Sequence, residues 1–251
     1  MSFTFATCAW TEALRSRIRL LSRGFCAEAP RSVPGVAKER STTAKGAGDA
    51  SARLFVALDL PDPVRDEIAA WQARALTDSA LRAMRPQALH VTLCFLSHRS
   101  VAAIPRIETL LRSLRPRPVE LRFEPQPAPI PKGRPGLYAL AAESEAARAL
   151  QGELSELLRS ERLYKPDDRP FWPHVTVARV RSERAAPERG ERRGKGRPRR
   201  VKNPPTSLPK ALVEPFKAVR VALYLSNLKP QGAEYERLAG VDLPSPMGQK
   251  R

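Results

Sequence analysis

The chain has only three histidines, and two of them head the same pattern: His90-Val91-Thr92-Leu93 and His174-Val175-Thr176-Val177. With 10 Thr in 251 residues, chance would put Thr two places after two of three His in roughly half a per cent of such sequences. The pattern constrains local structure because residues i and i+2 of a β-strand share a face, so each His and its Thr look into one space. Strict alternation then turns Val91, Leu93 and Phe95 of the first strand, and Val175 and Val177 of the second, toward an apolar support. Cys94 and Ala178 continue the His-Thr face with small side chains, and Arg179 points away from it unless the strand bulges.

The surroundings of the two motifs repeat. A mostly apolar run from Arg53 to Asp59 predicts a core strand, and Pro61-Asp62-Pro63 then opens a helix with Val64, Ile68, Trp71 and Leu76 at helical spacing. Leu89 to Phe95 is strand-like. Ile104, Ile107, Leu110, Leu111 and Leu114 form an amphipathic helix that Pro116 and Pro118 end. Strands at 119–123 and 137–141, a helix over 146–158, the strand 174–180, and strands at 218–225 and 234–238 complete the order. Strand, helix and His-x-Thr strand thus occur twice. The expected class is α+β, with two pseudo-equivalent lobes of largely antiparallel sheet around a central cleft. Outside the motifs the halves share little sequence, so the repeat is architectural.

The formal net charge of +18 is concentrated in two places. Residues 1–52 hold 8 Lys and Arg against 4 Asp and Glu, and residues 181–210 hold 11 against 3, which leaves +6 for the rest. Such runs read first as solvated chain. Arg192, Arg193, Arg197, Arg199 and Arg200 are also suited to tracking a phosphate backbone. The expected layout is a disordered extension over 1–51, one domain over 52–243 with a basic disordered insertion at 182–208, and a disordered tail over 244–251. Two readings stand for the extension: an organellar transit helix carrying Arg15, Arg17, Arg19 and Arg23, or a dispensable segment. Dispersed Cys8, Cys26 and Cys94 make no disulfide framework or zinc motif and favour a reducing compartment. The chain has no apolar run of membrane-spanning length. The run from Gly190 to Gly196 lacks the spacing and the hydroxyl residue of a phosphate loop.

Two imidazoles suit phosphate-ester cleavage without a metal, one taking a proton from water while the other protonates the departing oxygen. In-line displacement needs them on opposite sides of phosphorus, and hydroxyls such as those of Thr92 and Thr176 bond non-bridging oxygens. Trp172 and Phe171 are placed to stack on a base or to pack. His98 is expected at the surface beyond its strand, and Cys94 as a small buried residue.

Four stretches carry a family resemblance: Arg53 to Leu60, Leu89 to Leu96, Pro173 to Arg179, and Tyr224 to Leu228 with Gly232, Tyr235 and Leu238. In these the chain resembles the 2H phosphoesterases, specifically the RNA 2',3'-cyclic phosphodiesterases also called 2'-5' RNA ligases. The resemblance implies the bilobal 2H fold, His90 as proton donor to the leaving group and His174 as the base acting on water. It also implies Thr92 and Thr176 as phosphate ligands, and Arg179 as an added charge there. It further implies no cofactor or metal, and a monomer acting in the cytoplasm on RNA ending in a 2',3'-cyclic phosphate. Ser97 stands where the family commonly has Gly, and the basic insertion is longer than in many relatives. Two alternatives stay open: another 2H activity on 2'-5' oligonucleotides or cyclic nucleotides, and a non-catalytic RNA-binding scaffold.

Overall fold

The computed structural model describes residues 50–183, 196–229 and 232–244. The elements run β1 (Ser51–Asp59), α1 (Asp62–Ala75), β2 (Leu81–Ala83), β3 (His90–Ser100), α2 (Ile104–Ser113), β4 (Glu120–Phe123), β5 (Ala128–Ile130) and β6 (Leu137–Glu143). They continue with α3 (Glu145–Ser160), β7 (His174–Val180), β8 (Ser182–Glu183), β9 (Arg197–Pro198), α4 (Lys210–Val213), β10 (Phe216–Lys217), β11 (Arg220–Lys229) and β12 (Gly232–Asp242). The class is α+β, as expected. Among the described residues no helix is long and apolar enough to cross a membrane.

Local chemistry accounts for the helices. At the start of α1 a proline stands where its missing N–H leaves no helical bond unmade, and Ile68, Trp71 and Ala75 turn into the core. Ser144 caps α3 by accepting the Ala147 N–H at 3.0 Å. Below that cap Ala147, Leu150, Leu154 and Leu158 form a buried stripe at three- and four-residue spacing. Helix α2 buries Ile104, Ile107 and Leu111.

The large sheet follows the order β10-β4-β6-β7-β3-β1-β11-β12, with β2 added to β7 and β5 to β6. Every pairing is antiparallel. The repeated unit seen in the sequence is β1-α1-β3 and β6-α3-β7, and its two His-x-Thr strands lie side by side at the middle. They are joined at a single pair, Val91↔Val175. Beyond it β2 takes over as the partner of β7, through Leu81↔Val180 to Ala83↔Ala178. The two halves of the sheet therefore touch at one point and splay, and the splay is the cleft.

Both motif strands bulge just after the threonine. Val56 faces Cys94 while Ala57 faces Thr92, so Leu93 is an extra residue. Tyr138 faces Ala178 while Ala139 faces Thr176, so Val177 is one as well. A bulge inserts one residue and reverses the alternation beyond it. Two expectations are corrected by this. Phe95, expected in the core, is 44% exposed, whereas Cys94 and Ala178, expected on the His-Thr face, turn away from it; the burial of Cys94 is as expected.

The basic stretch at 182–208, expected to be disordered throughout, has defined places over 182–183 and 196–208. There β8 pairs with β9, the Asp78 carboxylate accepts the Lys202 and Asn203 N–H groups at 2.6 and 2.9 Å, and Leu208 N–H bonds the Pro125 carbonyl at 2.8 Å. Residues 1–49, 184–195, 230–231 and 245–251 lie outside the described residues, and with them most of the expected extension and tail, Arg192 and Arg193. Order begins slightly earlier than expected, since β1 includes Ser51.

Strand β3 also runs past Phe95 to Ser100, so exposed His98 lies within it. A second bulge makes this possible, with Leu54 opposite Ser97 and Phe55 opposite Phe95. At that bulge Ser97 has φ 59°, a left-handed conformation that costs a residue with a Cβ about 1–2 kcal/mol. Glycine suits this position better than serine. Ser97→Gly should therefore raise the urea midpoint by the equivalent of about 1 kcal/mol without changing the slope of the transition. An unchanged or lower midpoint would mean that the serine side chain offsets the strain.

Candidate active site

A cleft of about 480 Å³ opens at the splay of β3 and β7, and its wall includes His90, Thr92, His174, Thr176 and Arg179. All five residues singled out in the sequence thus meet in one space. In the antiparallel register set by Val91↔Val175, Thr176 lies beside His90 and Thr92 beside His174. The two histidines therefore occupy a diagonal about that pair. Arg179 reaches the wall because the Val177 bulge has turned it there.

His90 begins β3 and sits within an aromatic box. The Phe55 ring stacks on it at 4.9 Å, and Tyr235 meets it edge-on at 5.2 Å. Behind Phe55, Tyr224 stacks at 5.3 Å and donates its hydroxyl to buried Asp59. Arg220 lies 3.5 Å from the Asp59 carboxylate and bonds Asp242 at 2.6 Å. Burial and the phenolate's proximity to the Asp59 charge push the Tyr224 hydroxyl well above its ordinary range, so it remains a donor. This backing fixes the wall against which His90 rests.

Loss of water around the ring, helped by the neighbouring His174, pushes His90 down to about 4, while a bond to the Ala88 carbonyl acts in the opposite sense. His174 is held differently. Its Nδ1 lies 2.9 Å from the Trp172 carbonyl oxygen, and the Trp172 ring stacks on it at 4.6 Å. A carbonyl only accepts, so Nδ1 carries the hydrogen and the lone pair of the neutral ring is on Nε2. In each case the carbonyl that orients the ring lies two residues upstream.

Several wall residues had no role in the sequence reading. Arg53, Arg82 and Lys229 add cations to that of Arg179. The Arg53 guanidinium lies 4.8 Å over the Phe95 ring, and Lys229 pairs with Glu234 at 2.5 Å. Arg82 stands opposite Arg179 across the β2–β7 pairing. Gly232 passes close to it with φ 130°, a conformation that favours glycine. Phe55, Arg53, Tyr235 and Phe95 lie in the matching stretches, but the outward turn of Phe95 depends on a bulge and the place of Arg82 on a short strand, neither of which carries a compositional mark. Trp172 supports His174 and remains 38% exposed, whereas Phe171 packs against the core. Burial pushes the Cys94 thiol up to about 12, so it is an inert core residue.

The depressed His90 has a consequence for stability. The folded protein keeps the ring neutral down to about pH 4, whereas the unfolded chain takes up the proton near the ordinary value of 6.5. Between these values the unfolded state binds more protons, so stability falls as pH is lowered from 6.5 to 4, by about 3 kcal/mol from this group. Urea midpoints measured across that window should show the fall in the wild type and a flatter profile in His90→Asn. Parallel profiles would show that the ring is hydrated in the folded state.

Comparison with known proteins agrees with this geometry. The family model described as the 2'-5' RNA ligase superfamily matches residues 60–201. A protein of Archaeoglobus fulgidus named RNA 2',3'-cyclic phosphodiesterase is 33% identical over 134 residues, 51% of this chain and 73% of that one. The protein of the same name from Thermus thermophilus is 31% identical over 139 residues, 51% of this chain and 68% of its own. Among solved structures, one from Thermus thermophilus superposes with a TM-score of 0.59 at 28% identity, covering 76% of this chain and 97% of that chain. Escherichia coli LigT, complexed with NADP+, has the same fold, with a TM-score of 0.57 at 23% identity over 77% of this chain and 98% of its own. The matched span includes both His-x-Thr strands, and the chain belongs to the 2'-5' RNA ligase superfamily of 2H phosphoesterases.

Proposed function

We propose that the cleft hydrolyses the 2',3'-cyclic phosphate at an RNA end to a 2'-phosphomonoester. The observation that carries this reading is the diagonal of two oriented imidazoles across one strand pair, each with the other strand's threonine beside it. A tetrahedral phosphorus between the rings has one imidazole on the side of attack and the other on the side of departure. Nε2 of His174, with its lone pair fixed by the Nδ1 bond to Trp172, takes a proton from water as the water oxygen bonds to phosphorus. The bond from phosphorus to the ribose 3'-oxygen breaks, and His90 delivers a proton to that oxygen. Thr92 and Thr176 bond the non-bridging oxygens, and Arg179 neutralises the charge that grows on them.

The low proton affinity of His90 in the free protein belongs to this scheme. A phosphate anion in the cleft opposes the desolvation that keeps the ring neutral, so the proton enters with the substrate. With the 5'-hydroxyl of a second RNA strand attacking phosphorus in place of water, the same step breaks the bond to the 3'-oxygen, which takes the proton from His90, and joins the RNA ends by a 2'-5' bond. The reading requires no cofactor or metal, since imidazoles and cations of the chain serve every step. It takes the protein to be a monomer that acts on RNA in the cytoplasm, with an organelle as the alternative if residues 1–51 direct transit.

The direct test is turnover, in EDTA, of an oligonucleotide ending in a 2',3'-cyclic phosphate, with the product phosphate located. Wild type should yield the 2'-phosphate, and His90→Ala and His174→Ala should each lose about 10²–10⁴-fold in kcat. Metal-dependent turnover, or a 3'-phosphate product, would contradict the scheme. Arg179→Met should cost about 10²–10³-fold in kcat if its charge acts mainly in the transition state. The profile of kcat/KM against pH should be bell-shaped, because one ring acts neutral and the other charged. A single ionisation with chemistry limiting would remove one histidine from the mechanism.

A further inference from the structure

A second concentration of cations lies outside the cleft. Lys132 and Arg134 belong to the turn between β5 and β6, and Arg199 and Arg200 to the segment that follows β9. Together they line a groove of about 520 Å³. All four are exposed. Among the described residues Arg134 has a carboxylate partner, Glu183 at 3.6 Å, and the other three have none. Like charges gathered with so little counter-charge repel one another until an anion fills the space between them. Pro129, Pro135, Val201 and Pro204 give the groove an apolar floor.

The groove is built into the fold. Asp78 pins Lys202 and Asn203 through their backbone N–H groups. The Arg199 N–H bonds the Arg181 carbonyl at 2.8 Å, and Arg134 Nε bonds the Pro198 carbonyl at 2.8 Å. These bonds also connect it to the cleft. Arg179 lies in the cleft wall, Arg181 is two residues further along the same run of chain, and Arg199 is bonded to Arg181. By strand rise and strand spacing the Arg199 backbone is roughly 10 Å from that of Arg179. Cations therefore continue from the catalytic wall, around the end of β6 and β7, into the groove.

We propose that this groove is a second RNA site that seats the phosphate backbone of the strand leading to the cyclic phosphate, without sequence preference. The protein then favours oligonucleotides over cyclic mononucleotides. Backbone contacts supply affinity by counterion release, and apolar floors accept sugar and base faces of any identity. The inference rests on the reading of the cleft as a cyclic phosphodiesterase, because that reading places the RNA end at Arg179.

The test compares wild type with a triple variant, Lys132→Gln, Arg199→Gln and Arg200→Gln, on two substrates. One is adenosine 2',3'-cyclic monophosphate. The other is an oligonucleotide of about twelve nucleotides with a cyclic phosphate end, within the span of ~4–16 nucleotides that a single-strand site covers. The variant should raise KM for the oligonucleotide by about tenfold and leave its kcat and the mononucleotide kcat/KM unchanged. Anisotropy with an oligonucleotide of the same length ending in a 3'-phosphate reads binding without turnover. Its log-log salt slope should fall by about 2 for three lost contacts. Equal losses on both substrates, or wild-type affinity and salt slope in the variant, would overturn the proposal. If wild type turns over neither substrate while the variant still loses salt-sensitive binding, the cleft reading fails and the groove stands.

Discussion

One strand pair, Val91↔Val175, organises the molecule. Both valines are fully buried, and each contributes about 1.5–3 kcal/mol by leaving water. Their burial also locks the register, because a slip of one residue along a strand would turn every motif side chain to the opposite face. Since the pairing is antiparallel and centred on these residues, the histidines fall on a diagonal rather than face to face. Since it extends no further, the lobes splay and leave room for a substrate.

A symmetric frame here carries an asymmetric pair of groups. Each imidazole is oriented by the carbonyl two residues upstream, Ala88 for His90 and Trp172 for His174. The rings differ in what covers them. His90 lies between Phe55 and Tyr235, backed by Tyr224 and Asp59, whereas His174 leans on a tryptophan that is itself partly exposed. Burial pushes His90 below its ordinary range, so in the proposed scheme its acid role depends on the charge that the substrate phosphate brings.

Much of this was legible in the sequence. A mostly apolar run located β1, period-two alternation located β3 and β7, and helical spacing located α1 and α2, because such patterns reflect burial directly. The two His-x-Thr patterns named four of the five residues that the fold brings together, and the family resemblance supplied Arg179. Three kinds of feature were hidden. Short strands such as β2 and β5 have too few residues to show a period. Bulges leave no compositional trace, so Phe95 and Cys94 were assigned to the wrong faces. The basic segment looked unstructured because its order comes from distant partners, notably the Asp78 carboxylate, which no local pattern reveals.

The placement of Arg179 shows how far from the cleft such dependencies reach. The Val177 bulge that turns it inward leaves a carbonyl at an irregular point between β6 and β2, where a buried unpaired acceptor would be costly. That carbonyl accepts the Met84 N–H at 2.9 Å and the Gln72 side-chain amide at 2.7 Å. The same amide reaches the Met84 carbonyl at 3.2 Å. Gln72 is buried on α1 and does not itself line the cleft, yet it ties the helix, the chain leading into β3 and the bulge together. A polar residue in the core face of α1 therefore serves the site by satisfying the backbone irregularity on which the direction of Arg179 depends.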